Sequence, residues 1–157
     1  MPNTHHSLHI WVDADACPVA IKEILFRAAE RTQTMTSLVA NSALRIPKSS
    51  YIDMLQVGAG FDVADDKIVS LLSEGDLVIT SDIPLADEVL EHQAYALSPR
   101  GELFSSDTIK SRLHMRDFLE TLRASGIHSD HTDAFKASDK QAFANQLDTF
   151  LNKRCHV

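Results

Sequence analysis

The sequence predicts an α/β fold, in which helices flank a mainly parallel central sheet as a three-layer sandwich. Short apolar runs alternate with longer amphipathic stretches along the chain, which is the pattern of strand–helix–strand units. The run Leu77–Thr80 shows no alternation of polar and apolar residues, which is typical of a strand buried on both faces. A chain of 157 residues suits one compact domain. We therefore expect a single domain over residues 1–157.

The first half of the chain predicts three strands and two helices. In order, these are a strand over Leu8–Val12, a helix over Val19–Arg31, a strand over Met35–Ala40, a strand near Met54–Val57 and a helix over Asp62–Ser73. Pro18 suits the first turn of a helix, where its missing N–H costs nothing. Apolar residues then recur at helical spacing at Ile21, Ile24, Leu25 and Ala28. The glycines of Gly58–Gly60 break the chain before the second helix, which is expected to turn Val63, Ile68, Leu71 and Leu72 inward.

The second half continues the alternation and ends in two long helices. In order, we expect a turn at Gly75–Asp76, a strand over Leu77–Thr80, a helix over Pro84–His92, a strand over Ala94–Leu97, a loop over Ser98–Gly101 and a helix over Asp107–Arg123. Gly126 is the expected end of that helix. The capping box Ser138–Gln141 predicts the start of the last helix. Residues 1–7 are expected to be a frayed terminus, and residues 125–137 a loop before the last helix.

The composition of the chain limits which cellular compartment and which binding partners are expected. No apolar run approaches the roughly 20 residues of a membrane-spanning helix, and the amino terminus lacks the pattern of a signal peptide. With only two cysteines, Cys17 and Cys155, reduced thiols in a cytoplasm are expected. The net charge of −7 argues against a generic basic nucleic-acid binder. Oligomerisation is open, because the apolar stripes of the last two helices are also explained by core packing.

Aspartates stand where three predicted strands end or helices begin. Asp13 and Asp15 follow the first strand, Asp65 and Asp66 lie in the first turn of the second helix, and Asp82 follows the strand Leu77–Thr80. Any one of them could simply cap a helix. If the strands are parallel neighbours, however, all converge at one edge of the sheet. Clustered carboxylates repel one another unless a cation neutralises them, so the pattern predicts a site for Mg²⁺ or Mn²⁺.

Four segments of the chain resemble the bacterial UPF0178 family, which includes the YaiI and YqxD proteins. They are Asp13–Val19, Gly58–Val69, Gly75–Ala86 and Leu97–Leu103. The resemblance covers nearly the whole chain. The family is similar in turn to the PIN-like fold, whose nucleases hold Mg²⁺ or Mn²⁺ with acidic residues after particular strands.

The PIN-like pattern is matched at three positions of this sequence. They are Asp13 after the first strand, Asp65 three residues before Ile68, and Asp82 in a Thr-x-Asp context. The resemblance implies that these three are metal ligands in a hydrolase of RNA or DNA phosphodiesters. A further acid usual in such nucleases has no match between Glu23 and Asp53. Asp15 or Asp66 is the candidate for that role, or for orienting water.

The remaining candidates concern substrate contacts. Thr80 and Ser81 could hydrogen-bond a ligand carboxylate or the substrate, or merely complete the turn between strand and helix. Arg100 lies in a loop after a strand at the same sheet edge and is the predicted phosphate contact. Since the acidic shell would repel a polyanion, nucleic-acid binding is expected to depend on the metal ions.

Two other functions are open at this stage. Asp13-x-Asp15 after a strand also resembles haloacid-dehalogenase-type phosphatases, in which the first carboxylate is the nucleophile. Cys17 stands where that motif usually has Thr or Val, and Asp65–Asp66 precedes Thr80–Ser81, the reverse of that family's order. The third hypothesis is a non-catalytic PIN-like binding module. Cys17 itself precedes a helix amino terminus, which would lower its pKa, although a small packed residue is the favoured interpretation.

Overall fold

The computed structural model describes residues 8–60, 62–124 and 135–155 and contains one five-stranded parallel sheet. The strands are β1 (His9–Asp13), β2 (Met35–Ala40), β3 (Ile52–Gln56), β4 (Leu77–Ile79) and β5 (Tyr95–Leu97). The helices are α1 (Val19–Thr32), α2 (Val63–Leu71), α3 (Ile83–Glu91), α4 (Ser106–Ala124) and α5 (Ala137–Cys155), and a short 3-10 turn, Ala14–Ala16, follows β1. The strand order is β3-β2-β1-β4-β5. The predicted α/β class with a parallel sheet is confirmed.

Helices cover both faces of the sheet. Along β1, Ile10 and Val12 pack in one apolar cluster with α1 and α5, whereas Trp11 packs in another with α2, α3 and α4. Successive strand residues point to opposite faces, so the two clusters are the two sides of one sheet. Every residue of β4 is fully buried, which explains its unbroken apolar sequence.

A buried polar network joins the amino-terminal ends of β1 and β4. The carboxylate of Asp76 accepts hydrogen bonds from the backbone N–H of His9 at 3.2 Å, the indole N–H of Trp11 at 3.1 Å and the backbone N–H of Ser73 at 2.9 Å. The His9 ring stacks on Trp11 with a centroid separation of 3.9 Å. Asp76, predicted as an ordinary turn residue, is therefore a buried link between two central strands.

Several predicted details differ from the structure. β3 begins at Ile52 rather than near Met54, because its register with β2 starts at Thr36. Leu71, expected to face inward, is 39% exposed, since α2 ends at that residue. The last helix begins at Ala137 rather than at the predicted Ser138 box.

At the start of α5, the side chain of Asp139 accepts a hydrogen bond from the backbone N–H of Lys136 at 2.9 Å. This contact is one half of a capping box that begins at Lys136, two residues before the predicted Ser138. Residues 1–7 and most of the predicted 125–137 loop lie outside the described residues.

Within the described part of the chain, none of the helices combines the length and apolar character needed to cross a bilayer. The two longest, α4 and α5, have 19 residues each, and both carry many charged side chains.

Candidate metal centre

The order of the strands marks one place on the sheet edge. From β1 the chain proceeds to β2 and β3 on one side, and β4 and β5 lie on the other. The crevice at the carboxyl ends of β1 and β4 is therefore the point where the strand order reverses, which is where α/β sheets bind ligands. Asp13 ends β1, and Asp82 follows β4.

Asp13 is held in place by the strand beside it. Its residue is 8% exposed, and its Oδ2 accepts a hydrogen bond from the hydroxyl of Thr80 at 2.9 Å. Thr80 Oγ1 also accepts from the backbone N–H of Asp82 at 3.0 Å. Burial raises the pKa of Asp13, the Thr80 hydrogen bond opposes that shift, and the charges of Asp82 and Asp15 add to it. Thr80 therefore both hydrogen-bonds the Asp13 carboxylate and completes the turn into α3, the two roles that the sequence left open.

Asp82 and Asp65 approach Asp13 from two helices. Asp82 caps α3, and its Oδ1 accepts the backbone N–H of Leu85 at 3.1 Å. Asp65 lies in the first turn of α2. Burial, reinforced by the charges of Asp82, Asp13 and Asp62 and by a hydrogen bond with Asp82, raises the pKa of Asp65 to about 7. Three carboxylates from separate elements therefore act on one another electrostatically.

These side chains share an open cleft of about 250 Å³ at the crevice. Its lining is formed by Asp13, Asp15, Asn41, Gly60, Asp62, Ala64, Asp65 and Asp82. Asp15 lies at the rim, where its Oδ2 accepts the backbone N–H of Asn41 at 2.8 Å. Four of the five predicted acids, all but Asp66, thus meet in one cavity.

The donor set suits a hard divalent cation, because its potential ligands are carboxylate oxygens. As the side chains are placed, no three His, Cys, Asp or Glu residues of segments 8–60, 62–124 and 135–155 stand close enough to hold a metal ion. Like charges separate when no cation lies between them, so ion binding would have to draw these carboxylates together.

Comparison with known proteins places the chain in a family. Residues 11–153 match the model of a family described as "Uncharacterized BCR, YaiI/YqxD family". The chain belongs to this family, whose curated members are called UPF0178 proteins.

Relatives of this UPF0178 chain match it over nearly their whole length. It is 58% identical to a UPF0178 protein of Hydrogenovibrio crunogenus over 146 residues, which are 93% of this chain and 97% of that protein. It is 60% identical to one of Thioalkalivibrio sulfidiphilus over 147 residues, 94% of this chain and 100% of that protein. None of these names states an activity, and no solved structure gives a significant match.

Four predicted site residues of the UPF0178 chain lie outside the cleft lining. Thr80 is buried and hydrogen-bonds Asp13, whereas Asp66 on α2 and Ser81 just before α3 are exposed. Arg100 donates to Asp139 Oδ2 of α5 at 3.0 Å, and its neighbour Gly101 packs so closely that a Cβ there would lie 2.6 Å from the carbonyl carbon of Ala142. The Arg100 loop is thus anchored on α5, and its role as a phosphate contact stays a prediction.

Two polar residues of the cleft lining were not found from the sequence. Asn41 follows β2 as a single polar residue in no motif, and only its place at the shared strand edge could have signalled it. Asp62 precedes α2 in a left-handed backbone conformation with φ 63° and makes no capping hydrogen bond. The sequence indicates Asp62 only through its position three residues before Asp65.

Cys17 packs beside the site without taking part in it. Its residue is 7% exposed, and burial raises the pKa of its thiol to about 12, a shift that Lys22 opposes and Asp13 adds to. The expected lowering by the helix amino terminus is wrong, because desolvation outweighs it. The interpretation of Cys17 as a small packed residue fits its burial.

Proposed function

We propose that this protein is a divalent-cation-dependent hydrolase of phosphodiester bonds in RNA or DNA, with Mg²⁺ or Mn²⁺ bound by Asp13, Asp65 and Asp82. The observation that carries the proposal is the electrostatic cluster at the point where the strand order reverses. Burial and neighbouring carboxylates raise the pKa of Asp65 to about 7, and a strongly perturbed group in a cleft is a candidate functional group. A bound cation relieves such repulsion while the carboxylates stay ionised.

The chain prepares this cluster through hydrogen bonds that fix individual oxygens. Thr80 holds Asp13 Oδ2, and the backbone N–H of Leu85 holds Asp82 Oδ1. Asp13 Oδ1 has no hydrogen-bond partner among the described residues, so it is available to a ligand in the cleft. Asp65 lines the same cleft from the first turn of α2.

A divalent ion held there would polarise the phosphodiester and activate a water molecule. In this scheme Asp13 and Asp82 at the sheet edge and Asp65 from α2 would hold the ion. Asp15 and Asp66 remain candidates for supporting roles.

The charge of the cleft sets how a polyanion can bind. Asp62 adds a further carboxylate to the lining, and the chain carries a net charge of −7. Without cations a nucleic acid is repelled, so we expect binding to require the ion and to lack long-range steering.

The test is cleavage of labelled single-stranded RNA and DNA in Mn²⁺ by the wild type, Asp13→Asn, Asp82→Asn and the matched control Asp117→Asn. Asp117 is exposed on α4, away from the cleft. We expect Asp13→Asn and Asp82→Asn to lose at least about a hundredfold in rate, beyond the usual effect of supporting residues. Asp117→Asn should cleave as the wild type does.

Equal cleavage by all four proteins would indicate a contaminating nuclease and contradict the proposal. Release of inorganic phosphate from small monoesters, with phosphate attached covalently to Asp13, would favour the haloacid-dehalogenase-type alternative. Binding of Mn²⁺ without any turnover would favour a non-catalytic module.

A further inference from the structure

Asn41 differs chemically from every other polar side chain of the cleft. The lining holds five aspartates, two small apolar residues and Asn41. Ionised carboxylates only accept hydrogen bonds, whereas the carboxamide of Asn both donates and accepts. Among the lining side chains, Asn41 is thus the one that can donate to a phosphate oxygen while the carboxylates are ionised.

The backbone of Asn41 is tied on both sides. Its N–H donates to Asp15 Oδ2 at 2.8 Å, and its carbonyl oxygen accepts from Gln56 Nε2 at 3.4 Å. Asp15 lies in the 3-10 turn after β1, Gln56 ends β3, and Asn41 directly follows β2. These contacts join the carboxyl ends of three neighbouring strands and fix one wall of the cleft.

A neutral donor suits this position better than a cation would. An arginine or lysine among the aspartates would pair with them and compete with a bound metal ion. The carboxamide leaves the carboxylates available and still offers N–H groups. Arg100, the residue predicted for this task, pairs with Asp139 instead.

We infer that the Asn41 carboxamide contacts a phosphate oxygen of the substrate, and that Asp15 is a positioning residue that holds Asn41 in place. The inference rests on the proposed function. Asp15 would then act through its hydrogen bond to Asn41 and not through its negative charge. Asp15→Asn separates the two effects, because the asparagine keeps an acceptor oxygen and removes the charge.

The experiment measures kcat and KM for Mn²⁺-dependent cleavage of a labelled single-stranded RNA by Asn41→Ala, Asp15→Ala, Asp15→Asn and the control Asn152→Ala. Asn152 is exposed on α5, outside the cleft lining. We expect Asn41→Ala and Asp15→Ala to raise KM by about tenfold, the effect of losing one hydrogen bond to a charged group. Asp15→Asn should recover most of that loss, and Asn152→Ala should match the wild type.

Two further readouts do not depend on turnover. Asn41→Ala should bind Mn²⁺ as tightly as the wild type does, because Asn41 is not an ion ligand in this scheme. Exchange of the Asn41 backbone amide hydrogen should be slow in the wild type and in Asp15→Asn but fast in Asp15→Ala.

The outcomes distinguish this inference from the function on which it rests. A KM within twofold of wild type in Asn41→Ala, with Asp13→Asn inactive, would overturn the inference alone. An equal rise of KM in Asp15→Asn and Asp15→Ala would show that Asp15 acts through its charge, and this would overturn its positioning role. A wild type that neither binds Mn²⁺ nor cleaves RNA would overturn both.

Discussion

Two buried aspartates at opposite ends of the central strands have contrasting surroundings. Asp76, at the amino-terminal end, is 2% exposed, and Asp13, at the carboxyl end, is 8% exposed. Three N–H groups donate to Asp76. One hydroxyl donates to Asp13, and the neighbouring charges that act on it are those of Asp82 and Asp15.

Burial alone therefore does not separate a structural aspartate from a functional one. The negative charge of Asp76 is balanced within the fold by directed N–H donors, which is how buried carboxylates are normally satisfied. The charge at Asp13 is opposed by its acidic neighbours, and the Thr80 hydroxyl is the one hydrogen-bond donor that the described residues offer it. The predictions below test that contrast.

The largest expected effect on stability comes from making the same isosteric change at Asp76, just before β4, and at Asp13, the last residue of β1. Asp76→Asn places an NH₂ group against N–H donors and removes the charge they stabilise, so it should lower the unfolding free energy by roughly 2–4 kcal/mol. Asp13→Asn keeps an acceptor for Thr80 and relieves repulsion, so it should stay within about 1 kcal/mol of the wild type. Urea unfolding followed by circular dichroism compares the unfolding free energies of the two variants. Equal destabilisation by Asp76→Asn and Asp13→Asn would contradict the difference between the two aspartates.

A smaller effect is expected at the hydroxyl that supports the acidic end. Thr80→Val keeps the shape of the residue but removes the donor to Asp13 and the acceptor for the Asp82 N–H. We expect a destabilisation of about 1–2 kcal/mol, again by urea unfolding. Ser81→Ala is the matched control, since Ser81 is exposed and its loss should be close to neutral. Equal effects at the two positions would mean that the Thr80 hydroxyl does not support the cluster.

The smallest change is a gain in stability on neutralising Asp65 in cation-free protein. Because its pKa rises to about 7 from the ordinary value of 3.8, the folded state binds more protons than the unfolded state between those pH values, and stability falls as pH rises through that window. Asp65→Asn should therefore be more stable than the wild type at pH 8 by ~0.5–2 kcal/mol.

The difference between Asp65→Asn and the wild type should shrink at pH 5, where Asp65 is protonated in the folded wild type. Urea unfolding of both proteins in EDTA, at pH 8 and at pH 5, measures this difference in unfolding free energy. A variant less stable than the wild type at pH 8 would contradict the repulsion.

Much of the fold follows from local patterns in the sequence. The unbroken apolar run of β4 and the helical spacing of Ile21, Leu25 and Ala28 predict their elements and their burial. The convergence of Asp13, Asp65 and Asp82 was predictable too, because parallel strands end at the same sheet edge.

What could not be predicted depends on contacts between distant parts of the chain. Asp76 accepts from Trp11 across 65 residues, and Arg100 pairs with Asp139 across 39 residues. Asn41 enters the cleft only because β2 lies beside β1. None of these contacts produces a periodic or local pattern in the sequence. The sequence alone therefore could not distinguish Asp76 from the aspartates of the cleft.

The central claim is that the acidic cluster is a cation site, and a titration with Mn²⁺ at two pH values tests it most directly. Because the pKa of Asp65 is raised to about 7, its carboxyl group is mostly ionised at pH 8 and mostly protonated at pH 6, where a bound cation must displace the proton. We therefore predict Mn²⁺ binding at pH 8 with little proton release, binding at pH 6 that is roughly tenfold weaker and releases a proton, and loss of binding in Asp13→Asn and Asp82→Asn. Absence of Mn²⁺ binding at pH 8, or binding that these variants leave unchanged, would contradict the claim.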